Sequence, residues 1–291
     1  MRAANLLAAA LLALAAAPAL AQPPASLPAA IFTDPPTDPA HPPRMEVLHI
    51  PSGGVEINGV AYLAGGAGPH PTMILLHGLP GNEKNLDLAQ AVRRAGWNVV
   101  TFNYRGSWGS PGTFSFEGNL ADAKAVLAFV RNPANAQKLQ IETGKLVLAG
   151  HSMGGWVTAL TAAQDRGLAG AVLISAADMA RPRARAGIVE RMSQEMETLS
   201  STTPQKMADE LIGFTPRLSF NAQVAQGLST KPLLVLTSDD GLAPLAETLV
   251  KAIQADGGKQ VTLRHEATDH SWSGRRIALE AAVIGWLQGL K

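Results

Sequence analysis

The sequence contains no cysteine in its 291 residues. Disulfide bonds and cysteine-ligated metal centres are therefore excluded, and so is a lipid anchor attached through a cysteine. A chain without disulfides depends on its hydrophobic core for stability, and this chain is long enough to bury the core of one large α/β domain.

The sequence also lacks an excess of positive or negative charge. It has 24 lysines and arginines and 23 aspartates and glutamates, which gives a formal net charge of +1. No dense basic run is interleaved with aromatic residues, which argues against a nucleic-acid partner. The arginines between Arg181 and Arg185 are interpreted as a solvated stretch of a lid. Zinc-binding histidine motifs, Walker loops and dinucleotide fingerprints are absent as well, so we predict neither a metal nor another cofactor.

The first 21 residues have the pattern of a signal peptide. Arg2 supplies a positive charge, only alanine and leucine occupy Leu6 to Ala17, and Ala19-Leu20-Ala21 matches the A-x-A cleavage pattern. The apolar run is too short for a comfortable membrane span. We therefore predict cleavage after Ala21, export to the periplasm or the medium, and no stable membrane insertion afterwards.

Residues 22–44 hold eight prolines and few large apolar side chains. Such a segment buries little surface, so it predicts an extended arm or tether. The folded domain is predicted over residues 45–291.

Short apolar segments alternate with helical ones from Met45 onward. Strands are predicted at 45–50, 55–63, 72–76, 97–104, 145–149, 169–175, 233–237 and 260–264, and helices at 83–95, 119–131, 244–255 and 273–290. This order predicts an α/β fold with a mostly parallel sheet, helices on both faces and an antiparallel hairpin at one edge. Ligands of such sheets bind at the carboxyl ends of the strands.

Residues 178–229 interrupt the alternation with helical patterns, which predicts a helical cap over that end of the sheet. Its methionines either line an adaptable apolar pocket or pack the cap onto the core; they are Met179, Met192, Met196 and Met207.

Ser152 lies in Gly150-His151-Ser152-Met153-Gly154, between an apolar strand and a helix of small residues. This G-x-S-x-G arrangement resembles the nucleophile elbow of the α/β-hydrolases. The tight turn strains the serine backbone and exposes its hydroxyl, while side chains at the glycines would collide with the strand and the helix. Ser152 is therefore the predicted nucleophile.

A serine hydroxyl needs a base, and the base needs an orienting carboxylate. In α/β-hydrolases the acid and then the histidine follow the serine along the chain. Asp240 follows an apolar strand and stands four residues before Pro244, which resembles the D-x-x-x-P pattern of the family's triad acid. Asp239 is the alternative, and Asp178 is a lesser one.

The predicted base is His270, in the loop between the last strand and the last helix, where the family carries its histidine. His265 competes with it but falls at the end of the strand itself. Asp269 is interpreted as a residue that orders the loop.

The oxyanion hole requires two backbone N–H donors. Met153, directly after the nucleophile, is one. His77-Gly78-Leu79-Pro80-Gly81 resembles the family's H-G-x-P-G loop, which makes the Leu79 N–H the other. His77 and His151 are interpreted as structural.

From Met45 to Lys291 the chain resembles the α/β-hydrolase-fold serine hydrolases of the esterase and serine-peptidase branch. The loop Asn103-Tyr-Arg-Gly-Ser-Trp-Gly-Ser-Pro-Gly112 is similar to the R-G-x-G-x-S-x-G loop of such members. Trp108 and Phe114 are candidates to line the acyl pocket.

The resemblance implies a serine hydrolase that cleaves carboxylic esters of small molecules through an acyl-enzyme, and the signal-peptide pattern predicts that it is exported. A prolyl-peptidase or aminopeptidase-like enzyme acting on short peptides is the alternative. It would need cap carboxylates such as Glu190, Glu195 or Glu197 to bind a peptide terminus. A non-catalytic binding scaffold is the alternative of another class.

Overall fold

The computed structural model describes residues 27–181 and 186–290. The predicted signal peptide at residues 1–21, the first residues of the proline-rich arm and positions 182–185 of the arginine cluster lie outside the described residues. None of the described helices has both the length and the hydropathy that crossing a membrane requires.

Eight strands form one sheet. They are β1 (Arg44–Ser52), β2 (Val55–Leu63), β3 (His70–Leu76), β4 (Asn98–Phe102), β5 (Ile141–His151), β6 (Gly170–Ile174), β7 (Leu233–Ser238) and β8 (Val261–Glu266). Their spatial order is β1-β2-β4-β3-β5-β6-β7-β8. Strand β2 runs antiparallel to both of its neighbours, and all other pairs are parallel. The predicted α/β sheet with its antiparallel hairpin is confirmed.

Helices cover both faces of the sheet. They are α1 (Leu86–Arg94), α2 (Phe116–Arg131), α3 (Pro133–Lys138), α4 (Met153–Gln164), α5 (Ile188–Ser193), α6 (Pro204–Gly213), α7 (Ala222–Leu228), α8 (Ala243–Ala255) and α9 (Arg276–Gln288). Helices α1 and α9 bury apolar side chains against one face, and α2, α4 and α8 do so against the other. The central strands are buried on both sides, which explains their continuous apolar runs.

Several element boundaries differ from the sequence prediction, and two of these differences have local reasons. Helix α2 begins at Phe116 rather than Asn119, because the Ser115 side chain accepts a hydrogen bond from the Gly118 N–H at 3.0 Å and caps the helix. Strand β5 begins at Ile141 rather than Lys145. After the buried Ile141, residues 142–144 are Glu, Thr and Gly and are partly or fully exposed, so they lack the apolar pattern of the buried part.

Helices α5, α6 and α7 occupy the segment between β6 and β7 and pack on the α2–α4 face. The buried Trp156 of α4 donates its indole N–H to the Leu218 carbonyl at 2.6 Å and stacks on Phe214. Asp178 accepts hydrogen bonds from the Ser219 hydroxyl and the Phe220 amide. Three cap methionines are buried in the core cluster and Met196 packs against it; the buried ones are Met179, Met192 and Met207.

The described part of the proline-rich arm lies against the body of the protein. The Arg94 side chain donates hydrogen bonds to the carbonyls of Ala30 at 2.6 Å and Ile31 at 3.1 Å. Both arm residues also pack against the core beneath α1 and α9. The segment is therefore docked through one short helical turn, Ala29–Ile31, and through the His41 carbonyl, which accepts a hydrogen bond from the Gly66 N–H at 2.9 Å.

Candidate active site

Ser152 occupies the one-residue turn between β5 and α4. Its backbone has φ +56° and ψ −120°, outside the region that L-residues ordinarily adopt. Its N–H donates to the Ile174 carbonyl at 2.9 Å, which fixes the turn against β6. A side chain at Gly150 would collide with the backbone of Gly154, and one at Gly154 with the Leu76 carbonyl. These collisions explain why both positions of the motif are glycine.

The loop after β3 passes directly beside the serine. A Cβ placed at Gly78 would lie 2.9 Å from the Ser152 Cβ and 3.4 Å from its Oγ. Leu79 is the next residue along this loop. Met153 is the first residue of α4, so its N–H has no partner within the helix. The two predicted oxyanion donors thus belong to backbone segments that meet at the hydroxyl.

Residues 77–81, which we call the oxyanion loop after their predicted role, are held by hydrogen bonds within the loop and from neighbouring segments. The His77 Nδ1–H donates to the Gly78 carbonyl at 2.7 Å. Burial lowers the pKa of His77 to about 4, so its ring is neutral at pH 7. The Pro80 carbonyl accepts from the Trp108 indole at 2.8 Å and from the Thr198 hydroxyl at 2.9 Å. Thr198 belongs to the cap, and sequence reasoning missed it because its partner is distant in the chain.

Asp240 and His270 meet at the carboxyl ends of β7 and β8. The His270 Nδ1 and the Asp240 Oδ2 are 2.7 Å apart, and the Asp240 side chain is only 4% exposed. Burial alone would raise the pKa of Asp240, but hydrogen bonds from His270 and from the Leu242 N–H outweigh it and lower that pKa. The carboxylate therefore stays ionised at neutral pH and holds the imidazole in one orientation.

The other ring nitrogen of His270, Nε2, makes no hydrogen bond to any described residue, and neither does the Ser152 hydroxyl. The ring of His151, the residue before the serine, lies 4.7 Å from the ring of His270, centroid to centroid, which places His270 beside the serine turn. Catalytic hydrogen bonds are often long or unformed when no substrate is bound.

His151 supports the loop that carries His270. Its Nε2–H donates to the His270 carbonyl at 2.8 Å, across 119 residues of sequence. Burial lowers the pKa of His151 to about 4, so the ring that lies against His270 is uncharged at neutral pH. The sequence predicts a structural role for His151, and the structure adds this specific hydrogen bond.

Trp272 anchors the same loop from the opposite side. Its side chain is fully buried, and its indole N–H donates to the Ser175 hydroxyl at 3.0 Å. Ser175 in turn is 2.8 Å from the Ser238 hydroxyl at the end of β7. The loop after β8 is therefore tied to the ends of β6 and β7, and its position does not depend on His270 itself.

The alternative acids have other partners. Asp239 lies 3.1 Å from the His265 Nε2, and both side chains are largely exposed. Asp178 holds the cap segment, as described above. Asp269 accepts from the Ser273 N–H at 2.8 Å and so orders its own loop. Within residues 27–181 and 186–290, no cluster of three or more histidine, aspartate or glutamate side chains is placed to hold a metal ion.

The two candidate pocket residues differ in exposure. Trp108 is 37% exposed beside the oxyanion loop, at the carboxyl end of the sheet. Phe114 is 2% exposed and packs edge-to-face on Phe116 in the core. Contact of either ring with an acyl group stays a prediction.

Solved structures with this fold include several esterases. An esterase of Pyrobaculum calidifontis has a TM-score of 0.66 at 21% identity, covering 87% of this chain and 88% of its own. The carboxylesterase EstE1 from a metagenomic library has 0.65 at 21%, covering 90% and 92%. Est1E of Butyrivibrio proteoclasticus, solved with ferulic acid, has 0.63 at 16%, covering 84% and 98%. A search of curated proteins found no significant match.

The sequence profile of the alpha/beta hydrolase family matches residues 73–284, well over half of the chain. The matched segment includes the elbow, the ends of β7 and β8 and the loop after β8. With its strand order, its strained serine turn and this profile in agreement, the chain belongs to the alpha/beta hydrolase family.

Proposed function

We propose that the protein hydrolyses carboxylic esters with Ser152 as nucleophile, His270 as general base and Asp240 as the orienting acid. The observation that carries the proposal is the 2.7 Å contact between Asp240 and the His270 Nδ1. It uses one ring nitrogen and leaves Nε2 unoccupied beside the serine turn, which is the arrangement that serine activation requires.

In the proposed mechanism, the Ser152 Oγ attacks the ester carbonyl carbon while the His270 Nε2 takes the hydroxyl proton. Asp240 stabilises the imidazolium that forms. The N–H groups of Leu79 and Met153 donate to the developing oxyanion. His270 then gives its proton to the alkoxide leaving group, which departs and leaves an acyl-serine. Water then attacks that acyl group while His270 takes a proton from it. His270 returns this proton to the Ser152 Oγ as the acyl–serine bond breaks and the carboxylic acid is released.

Esters are the preferred substrate class for two reasons. Two of the three solved structures named above are described as an esterase and a carboxylesterase, although at these identities the likeness shows only the fold. An ester leaving group also needs less protonation than an amine.

The test is hydrolysis of p-nitrophenyl butyrate by the purified chain and by Ser152→Ala. The variant should lose roughly 10⁵-fold in kcat or more, because removing the nucleophile removes the covalent route. A fluorophosphonate probe should label the wild type at residue 152 and leave the variant unlabelled. Folded wild type that neither turns over the ester nor takes the label would favour a non-catalytic binding scaffold.

A serine peptidase is the second candidate, supported by one carboxylate in the cap. Glu195 is half-buried, and burial raises its pKa. A positive partner such as the amine terminus of a peptide would stabilise the charged form of this carboxyl. Glu195 stands three residues before Thr198, which donates a hydrogen bond to the oxyanion loop. Turnover of an aminoacyl p-nitroanilide above that of the ester, lost in Glu195→Gln, would favour the peptidase.

We also propose export with cleavage after Ala21, on the pattern of the first 21 residues. Expression in a Gram-negative host followed by fractionation and N-terminal sequencing tests it. A periplasmic product beginning at Gln22 is the expected result, and a cytosolic product that retains Arg2 contradicts it.

A further inference from the structure

A cavity, which we call the β2–β4 cavity, lies beside the oxyanion loop, and His77 of that loop lines it. Its volume is about 250 Å³. Its walls include Val60, Tyr62, Leu75 and Phe102, and its polar side includes His77 and Lys84. Ser152, Asp240 and His270 do not line it. Ligand pockets for drug-sized molecules begin at about 300 Å³, so this cavity suits a smaller compound.

Among the described residues that line this cavity, Lys84 is the one charged group. Within residues 27–181 and 186–290, no aspartate or glutamate lines the cavity. The histidine that lines it, His77, is neutral because burial lowers the pKa of that ring to about 4. The cavity therefore combines one positive group with apolar walls.

The Lys84 ammonium has only neutral partners among the described residues. It donates to the Asn103 Oδ1 at 2.9 Å and lies 3.9 Å from the centre of the Trp108 ring. Burial lowers the pKa of Lys84 to about 8, with no counter-charge to offset it. A half-buried cation ordinarily has a carboxylate partner, because desolvation otherwise costs free energy.

We propose that the β2–β4 cavity binds a small organic monocarboxylate, with its carboxylate on Lys84 and its apolar body against Val60, Tyr62 and Leu75. An anion supplies the missing counter-charge. The apolar wall favours a hydrocarbon or aromatic body over an inorganic anion such as phosphate. The site is independent of the proposed ester hydrolysis, because binding an acid requires no turnover.

A ligand in the cavity would affect the oxyanion loop through Lys84 and Trp108. The ammonium that would pair with the acid also lies over Trp108, whose indole N–H donates to the Pro80 carbonyl. A ligand that draws Lys84 toward itself weakens its contact with that ring. Cavity and catalytic loop are thus joined through two side chains.

The test is isothermal titration calorimetry of the full chain with sodium benzoate and with neutral benzamide. Benzoate should bind, and benzamide should bind at least about tenfold more weakly, since a charged hydrogen bond contributes about 1.5 kcal/mol or more. Lys84→Met should weaken benzoate at least about tenfold. Lys124→Met is the matched control, because Lys124 is an exposed lysine that likewise donates to a neutral partner, Gln164; it should leave the affinity within about twofold.

Val60→Phe provides a second variant that fills the cavity and keeps Lys84. It should weaken benzoate as strongly as Lys84→Met while circular dichroism remains that of the wild type. Benzoate affinity that survives either substitution in folded protein overturns the proposal, because the acid then binds elsewhere. Equal binding of benzamide, or no saturable binding below about 10 mM benzoate, overturns it as well.

Discussion

Two aspartate–histidine pairs stand side by side at the ends of β7 and β8, built from consecutive aspartates. In the inner pair, Asp240 and His270 are 2.7 Å apart and the carboxylate is 4% exposed. In the outer pair, Asp239 and His265 are 3.1 Å apart and the carboxylate is 63% exposed. The histidines themselves differ little, at 39% and 47% exposed.

The two pairs differ most at the second ring nitrogen. The outer histidine has both nitrogens occupied, since the Thr237 Oγ1 lies 3.0 Å from the His265 Nδ1. The inner histidine has Nε2 open beside the serine turn. Burial of Asp240 also keeps water from competing for the imidazole, whereas an exposed ion pair is screened and contributes little. The same two residue types therefore make a candidate catalytic unit in one place and a surface contact in the other.

The largest difference in activity between the two pairs should appear when the histidine of each pair is replaced. His270→Ala should lower kcat/KM for p-nitrophenyl butyrate by roughly 10⁵-fold, because the serine loses its base. His265→Ala should stay within about twofold of the wild type, since an exposed pair contributes little. Steady-state kinetics on both variants, with circular dichroism as a check on folding, measures the difference. Comparable losses in the two variants would mean that the outer pair takes part in catalysis.

Replacing the aspartate of each pair should give a similar but smaller difference in activity. Asp240→Asn should cost roughly 10⁴-fold in kcat, because an amide leaves the imidazole without its orienting charge. Asp239→Asn should change kcat by no more than about twofold. If Asp239→Asn proves the more damaging, the assignment of the triad acid is wrong.

His151→Phe tests whether the inner pair depends on the support of its loop. Losing the hydrogen bond to the His270 carbonyl should lower kcat about tenfold with little change in KM, because positioning is affected and substrate contacts are not. His265→Phe is the matched control and should keep kcat within about twofold. An unchanged kcat in His151→Phe would show that Trp272 holds the loop by itself.

The last prediction concerns the free energy of unfolding, which should depend on pH because His77 and His151 are buried and neutral. The pKa values of His77 and His151 are about 4 in the folded protein, against 6.5 for a histidine exposed to water. Between these values the unfolded chain binds more protons, so the free energy of unfolding should fall as pH drops from 6.5 toward 4. Each histidine should contribute about 1–2 kcal/mol between pH 7 and 5.

Urea unfolding of the wild type and His151→Phe at pH 7 and pH 5 measures this contribution. The variant should lose less stability than the wild type between the two pH values. A drop of equal size in both proteins would contradict the assignment of a depressed pKa to His151.

Features encoded in neighbouring residues were predictable from the sequence. The glycines around Ser152 reflect a local requirement of the turn, and the buried strands appear as apolar runs. The fold and the candidate nucleophile therefore followed from short segments. The first turn of α2 was missed because a cap depends on one side chain, Ser115, and carries no periodic pattern.

Features of the candidate site that depend on contacts between distant parts of the chain were less predictable from the sequence. The spacing to Pro244 favoured Asp240 over Asp239, but the directions of the two side chains are set by the turn, in which Gly241 has φ +78°. The bond from His151 to the His270 carbonyl joins residues 119 apart. That Lys84 pairs with Asn103 and Trp108, and with no carboxylate of the described residues, is likewise visible only once the chain is folded.

The Pro80 carbonyl, which accepts from both Trp108 and Thr198, limits how the cap can be re-engineered. A chimaera that exchanges the segment between β6 and β7 for that of another hydrolase removes one of these two donors. Grafts that keep a hydroxyl at position 198 should retain turnover better than grafts of equal length without it. Libraries built for new substrates on this scaffold are best designed with that single threonine held constant.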